Sequence, residues 1–151
     1  MIELVIEGKP LSWLAPIHSR NRCFDLRAKE KNQVRWQIRS QYKDPPVSGC
    51  VQIDFSFFFP VPKSVSSIRK KEMLAHHLLP GVKPDTTNLQ KFYEDCLKEI
   101  VIADDKWVTD TRSRKRYSLY PRVVIRVISM NLKWEDRLKE IDEMERKIES
   151  T

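Results

Sequence analysis

The sequence predicts a small single-domain α+β protein: a mixed or antiparallel sheet packed by helices, with an extra helix at the C-terminus. Three observations carry this. The chain has 151 residues, 40% of them hydrophobic, which fills one core and not two. Strand-type and helix-type runs interleave in the order strand, helix, strand, helix, helix, strand, strand, helix, the order of an α+β domain. Prolines and glycines mostly punctuate these runs instead of interrupting them.

Leu4 to Ile6 is a short β-type run that turns at Gly8-Lys9-Pro10. Residues 10–26 show no period and read as an irregular loop with Ser19, Arg20, Asn21 and Arg22 at its tip. Leu26 to Tyr42 is rich in Arg, Lys, Glu and Gln. It reads as a helix with a thin apolar stripe of Ala28, Val34, Trp36 and Ile38, stopped by Asp44-Pro45-Pro46. Val51 to Phe59 is the clearest strand. Ile53, Phe55, Phe57 and Phe59 share one face, and Gln52, Asp54 and Ser56 the other. Ser64 to Leu79 reads as a helix capped by Ser64 or Ser66, with a basic patch at Arg69, Lys70 and Lys71 and a break at Pro80-Gly81. A further helix runs from about Thr87 to Ile100. Trp107 to Leu119 and Val123 to Ile128 read as strands that could pair as a hairpin around Pro121. Leu132 to Ser150 is a charged helix whose apolar positions, Leu138, Ile141, Met144 and Ile148, recur every three or four residues.

The net charge is +7 and the pI about 9.4, which favours an acidic partner, phosphate backbone being the commonest. The three cysteines, Cys23, Cys50 and Cys96, form no C-x-x-C, which argues against a zinc site and a disulfide framework. They are expected as small core residues in a reducing compartment. No apolar run is long enough to span a bilayer, so no membrane role is expected. The start, M-I-E-L-V-I-E-G, lacks a signal layout, and the expected location is cytoplasmic. Three glycines in all leave no phosphate-cradling loop, so no nucleotide cofactor is expected.

The run from Lys83 to Val108 concentrates the chemistry. Thr87 is a good N-cap with Gln90 three residues on, a capping box, and Asp85 and Thr86 suit the positive end of the helix. At about 100° per residue, Phe92, Cys96, Leu89, Ile100, Tyr93 and Leu97 occupy one arc, while Asn88, Lys91 and Asp95 align on the polar flank. Asp104 and Asp105 follow the helix. Each residue alone has an ordinary role. Asp85 suits a helix start, Lys91 and Asp95 form an i,i+4 surface pair, and Asp104-Asp105 suits a turn. Together they outline a place for a hard cation such as Mg²⁺, which prefers carboxylate oxygens, beside a lysine that can neutralise a phosphate.

The stretch K-P-D-T-T-N-L-Q-K-F-Y-E-D-C-L, followed by I-A-D-D-K-W-V, resembles the RusA family of Holliday-junction resolvases, found mostly in phages and prophages. The family pattern is Asp-x-Asp-Asn-Leu-x-Lys, a helix ending near Asp-Ala-Leu, then Asp-Asp-x-x-Val. About 25 contiguous residues match closely. The resemblance implies a RusA-like endonuclease domain over residues 1–130 and a charged helix over 131–151, packed on the domain or on a dimer partner. It implies a homodimer that binds four-way DNA junctions and cuts them with Mg²⁺ or Mn²⁺, in recombination and repair. Carried over by position, Asp85 and Asp105 are the metal ligands, with Asp104 and Asp95 as further candidates. Lys91 is the functional lysine, and Asn88 the supporting asparagine. Thr87 stands where the family has its second aspartate, and a hydroxyl is a poor ligand for a hard cation. The alternative is therefore a weakened or inactive junction-binding protein of the same fold. A third reading is a protein-interaction domain led by the C-terminal helix.

Arg112, Arg114 and Arg116 lie at period two, so on a strand they share one face, about 7 Å apart, opposite Thr111, Ser113, Lys115 and Tyr117. That spacing suits DNA phosphates, and equally a charged edge strand. Arg20, Arg22, Arg69, Lys70 and Lys71 could extend the same surface. Asp54 is an alternative ligand, or only solvent-facing. His76-His77 are adjacent on a predicted helix and share no face, which argues against a two-histidine metal site.

Overall fold

The structure, a computed structural model, describes residues 1–131 and 134–150. Its elements are β1 (Ile2–Glu7), β2 (Ile17–Ser19), β3 (Arg22–Phe24), α1 (Ala28–Gln41), β4 (Val51–Pro60), α2 (Ser67–Leu74), α3 (Thr86–Leu97), a 3₁₀ turn (Asp105–Trp107), β5 (Val108–Ser118), β6 (Arg122–Ser129) and α4 (Trp134–Glu149). The predicted α+β class and element order hold. The expected irregular loop contains the small hairpin β2–β3, with Arg20 at its turn in the left-handed region (φ 48°).

The main sheet has the order β1-β6-β4-β5. β4 is parallel to β5 and antiparallel to β6, and β6 is antiparallel to β1. The expected β5–β6 hairpin does not form, because β4 lies between the two strands. β4 is the most apolar strand, and the centre of the sheet buries it best. The charged β5 takes an edge. Residues 119–121 then carry the chain across the end of β4, where the Pro121 carbonyl accepts the Gly8 N–H at 3.1 Å.

Register sorts the side chains cleanly. Leu4, Ile125 and Phe55 lie opposite one another, as do Ile6, Val123 and Phe57. All are buried against Val34 and Ile38 of α1 and Leu89, Phe92, Tyr93, Cys96 and Leu97 of α3. Fully burying each such aliphatic or Phe side chain contributes about 1.5–3 kcal/mol. Phe55 stacks on Phe57 at 5.6 Å, and Phe92 meets Tyr93 edge to face at 4.9 Å. The buried Tyr93 hydroxyl accepts the Leu11 N–H at 3.0 Å, fastening the N-terminal loop to α3.

α1 also covers the β1 edge. The Gln41 amide oxygen accepts from Val5 N–H at 2.9 Å and its NH₂ donates to the Val5 carbonyl at 2.8 Å, while Gln37 accepts from Glu7 N–H at 3.0 Å. Only Val34 and Ile38 of the predicted α1 stripe reach the core; Trp36 is 71% exposed. α2 is shorter than expected. Ser66 caps it, accepting from Arg69 N–H at 3.3 Å, and His76 leaves it with a φ of 62°. With Met73 its one buried residue, little packing favours extension. α3 stops at Leu97 rather than Ile100, since Glu99 adopts a φ of 68°. Of the cysteines, only Cys96 is a core residue; Cys23 is exposed. On α4, Ile141 and Met144 are exposed, while the Leu132 start and the Leu138 side chain lie outside the described residues.

Candidate active site

Asp85, not Thr87, caps α3. Its backbone is extended after Pro84, and its Oδ1 accepts the Asn88 N–H at 2.8 Å. Asp at this point outcompetes a threonine two residues on, which therefore falls in the first turn, exposed. The capping box with Gln90 is accordingly absent. Gln90 instead donates to Glu94 Oε1 at 3.3 Å and accepts from Ser113 Oγ of β5 at 2.9 Å.

Around the start of α3, Asp85 and Asn88 line a concavity of about 450 Å³ with Ser12, Trp13 and Leu14 of the N-terminal loop. The Asn88 carbonyl accepts the Trp13 N–H at 2.9 Å. The Lys91 ammonium lies over the Trp13 ring, 3.5 Å from its centre, a cation–π contact that fixes the lysine on this flank. Lys115 reaches the same end of the helix. Its Nζ donates to the carbonyls of Val82 and Pro84 at 2.5 and 2.8 Å. Burial holds its pKa below the usual lysine range, opposed by the nearby Asp85.

A second group of carboxyls lies toward the end of α3. Asp104 caps the 3₁₀ turn, accepting from Lys106 N–H at 3.1 Å. A hydrogen bond with Asp105 and that backbone N–H hold Asp104 below the ordinary carboxylate range. Asp105 lies 3.8 Å from the Lys98 ammonium. Burial pushes the Glu94 carboxyl up; its hydrogen bond from Gln90 opposes this, and the charges of Asp105 and Asp95 add to it. Asp95 faces α1, 3.7 Å from Lys31, which is itself bonded to Asp25 at 2.8 Å.

Among the described residues, no three Asp, Glu, His or Cys side chains converge to hold a metal ion. The donors are nonetheless carboxylate oxygens, and Mg²⁺ commonly takes only one or two of them, completing its shell with water and phosphate. The expected ligands do not come together, since Asp85 stands at the start of α3 and Asp104 and Asp105 lie beyond its other end, about 18 Å along the helix.

The basic residues fall into separate regions. Arg112, Arg114 and Arg116 share one face, and it is the sheet face away from α1 and α3. They lie level with Asp54, Ser56 and Phe58 of β4. His76, Arg122 and Arg126 join Arg114 and Arg116 around a concavity of about 470 Å³ there. Arg69, Lys70 and Lys71 are exposed on α2, and Arg20 and Arg22 are exposed on the β2–β3 hairpin. Asp54 accepts from Gln52 at 2.9 Å on the same open face, away from α3.

Sequence reasoning missed Glu94, Lys115 and Trp13. The i,i+4 spacing of Gln90, Glu94 and Lys98 was a signal for the first. Lys115 was legible only as the one charge on an otherwise uncharged strand face, and Trp13 carried no signal.

A family model described as endodeoxyribonuclease RusA matches residues 27–128. A protein of Bacillus subtilis (strain 168), described as uncharacterized protein YqaN, is 32% identical over 134 residues, covering 83% of this chain and 94% of that protein.

Proposed function

Because the chain belongs to the RusA endodeoxyribonuclease family, we propose that it is a divalent-metal-dependent nuclease that resolves four-way DNA junctions, working at α3. The observation that carries this reading is the line of carboxyls along that helix, all within the family-matched span. Asp85 stands at its start, half-buried Glu94 near its end, and Asp104 and Asp105 just beyond.

In this reading Asp85 and Asp105 would be separate carboxylate contacts for Mg²⁺ or Mn²⁺ bound with the DNA phosphate, since the 12 residues of α3 hold them about 18 Å apart, and Asp104, Asp95 and Glu94 supply further negative charge. The bound ion supplies Lewis acidity toward a phosphodiester. Lys91 offsets the charge that develops on the non-bridging oxygens. Asn88 orients a neighbouring carboxylate. Arg20, Arg22, Arg69, Lys70, Lys71, Arg112, Arg114 and Arg116 contact phosphates, which position a junction without reading its sequence. The active species is a homodimer, and the exposed Ile141 and Met144 of α4 supply an apolar surface for its partner.

The test is cleavage of a labelled four-way junction against a linear duplex, with and without Mg²⁺ or Mn²⁺. Paired, metal-dependent cuts in the junction alone are expected. Asp105→Asn is expected to reduce the rate at least a hundredfold, about 2.7 kcal/mol of barrier; full activity in that variant would sink the assignment. Thr87 supports a second reading, a junction-binding protein that does not cut. Metal-independent binding without turnover would establish it.

A further inference from the structure

A cavity of about 390 Å³ opens beside the start of α3, with Phe59 and Tyr117 in its wall and Lys9, Lys63, Lys83 and Lys115 around it. It lies at the C-terminal ends of the parallel strands β4 and β5, where Phe59 and Tyr117 are register partners. Pro60, Pro62 and Pro80 also line it, and fixed φ angles keep such walls preformed. Among the described residues no carboxylate lines it, although Asp85 follows two residues after Lys83. Aromatic wall, lysine surround and lack of acid together describe a receptor for a planar base carrying a phosphate.

We propose that this cavity binds one unstacked nucleotide of the DNA strand entering the α3 site. The base lies against Tyr117 and Phe59, and its flanking phosphates meet Lys9, Lys63 and Lys83. The volume, about 390 Å³, is at the small end for ligand pockets, the scale of one nucleotide rather than a length of duplex. Only a nucleotide already out of the helix enters cheaply, because unstacking is least costly where pairing is already broken. The cavity thereby selects branched or mispaired DNA by the freedom of one nucleotide, independently of sequence. Lys115 joins the cavity to the site, since its ammonium holds the Val82 and Pro84 carbonyls immediately before Asp85. This inference rests on the nuclease reading only for the strand's direction, not for the binding itself.

The experiment uses a duplex with a single unpaired 2-aminopurine, the matched fully paired duplex, and EDTA to prevent cutting. The full-length protein is expected to bind the unpaired form about tenfold more tightly and to change its 2-aminopurine emission. Tyr117→Leu is expected to abolish the emission change. Lys9→Glu with Lys63→Glu, both on the cavity rim, is expected to remove the tenfold preference; this second variant serves if Tyr117→Leu fails to fold. Equal affinity for the two duplexes, or an unchanged response in the lysine variant, would overturn the proposal. So would competition by free deoxyadenosine monophosphate as strong as that by the unpaired strand, which would make this a free-nucleotide site. Junction cleavage by protein that shows no such preference would leave the nuclease standing without the cavity. Preference without metal-dependent cleavage would leave the cavity standing without the nuclease.

Discussion

Glu94 is the residue whose surroundings differ most from those of an ordinary surface carboxylate. Its pKa is raised in the fold, chiefly by burial. A group raised in this way contributes stability below its unfolded pKa and loses it as the pH rises through the folded value. Glu94→Gln is therefore expected to match the wild type in thermal unfolding at pH 3 and to exceed it at pH 7. Equal melting temperatures at both would remove the case for a strained carboxyl. At the other end of α3, the Trp13 ring lies beneath the Lys91 ammonium. Trp13→Ala is expected to slow junction cleavage about three- to tenfold with little loss of junction affinity, and Trp13→Phe to recover most of it. A variant that instead loses affinity and keeps its rate would assign Trp13 to DNA contact. The α3 candidates Asp85, Asn88, Lys91, Asp95, Asp104 and Asp105 were named from local spacing and the family resemblance, neither of which brings together Asp85 and Asp105 at opposite ends of the helix. Glu94 and Lys115 were not named, because their burial depends on β5 and the loop before α3, which only the folded chain brings together.

At the scale of elements, apolar period and caps located the helices but not all their ends: α2 runs only Ser67–Leu74, α3 stops at Leu97, and the cap of α3 is the instructive error. A capping box was expected at Thr87, but Asp85 has extended backbone and its carboxylate, a strong N-cap acceptor, takes the cap. The four strands of the main sheet were also found in sequence, β2 and β3 were not, and the pairing of the four was not. Alternation sorts the two faces of β5 and of β6, and says nothing of β4 inserting between them. The glutamines of α1 show how an edge is managed without a further strand. Gln41 and Gln37 satisfy backbone groups of β1 that would otherwise lie open. Gln37→Ala with Gln41→Ala is expected to cost about 1–3 kcal/mol, read from urea unfolding, and to raise the tendency to aggregate. A double variant with unchanged midpoint would mean that water replaces both side chains at no cost.

Over the whole molecule, positive charge lies on both sides of the sheet. The α3 side carries the cavity lysines, and the open side carries Arg112, Arg114 and Arg116, with Arg122 and Arg126 beside them. Single-strand alternation revealed the first three arginines, but their separation from α3 needed the sheet order. Changing Arg112, Arg114 and Arg116 together to Gln is expected to weaken junction binding. It should also reduce the slope of log affinity against log salt by up to about 2.7, roughly 0.9 for each phosphate no longer neutralised. An unchanged slope would mean that DNA approaches from the α3 side alone. The pairing of β1 with β6 has one more consequence. Ile2 stands opposite Val127, so the first strand begins beside the point where the last strand finishes. Adjacent strands are about 4.8 Å apart, so in a chain cut back to the end of β6 a few residues can join these ends and close the backbone into a ring. New termini can then be opened in the exposed turn between β2 and β3. Such a rearranged chain moves the point of attachment for a fused protein from the β1–β6 side of the molecule to that hairpin, while leaving every strand pair of the main sheet intact.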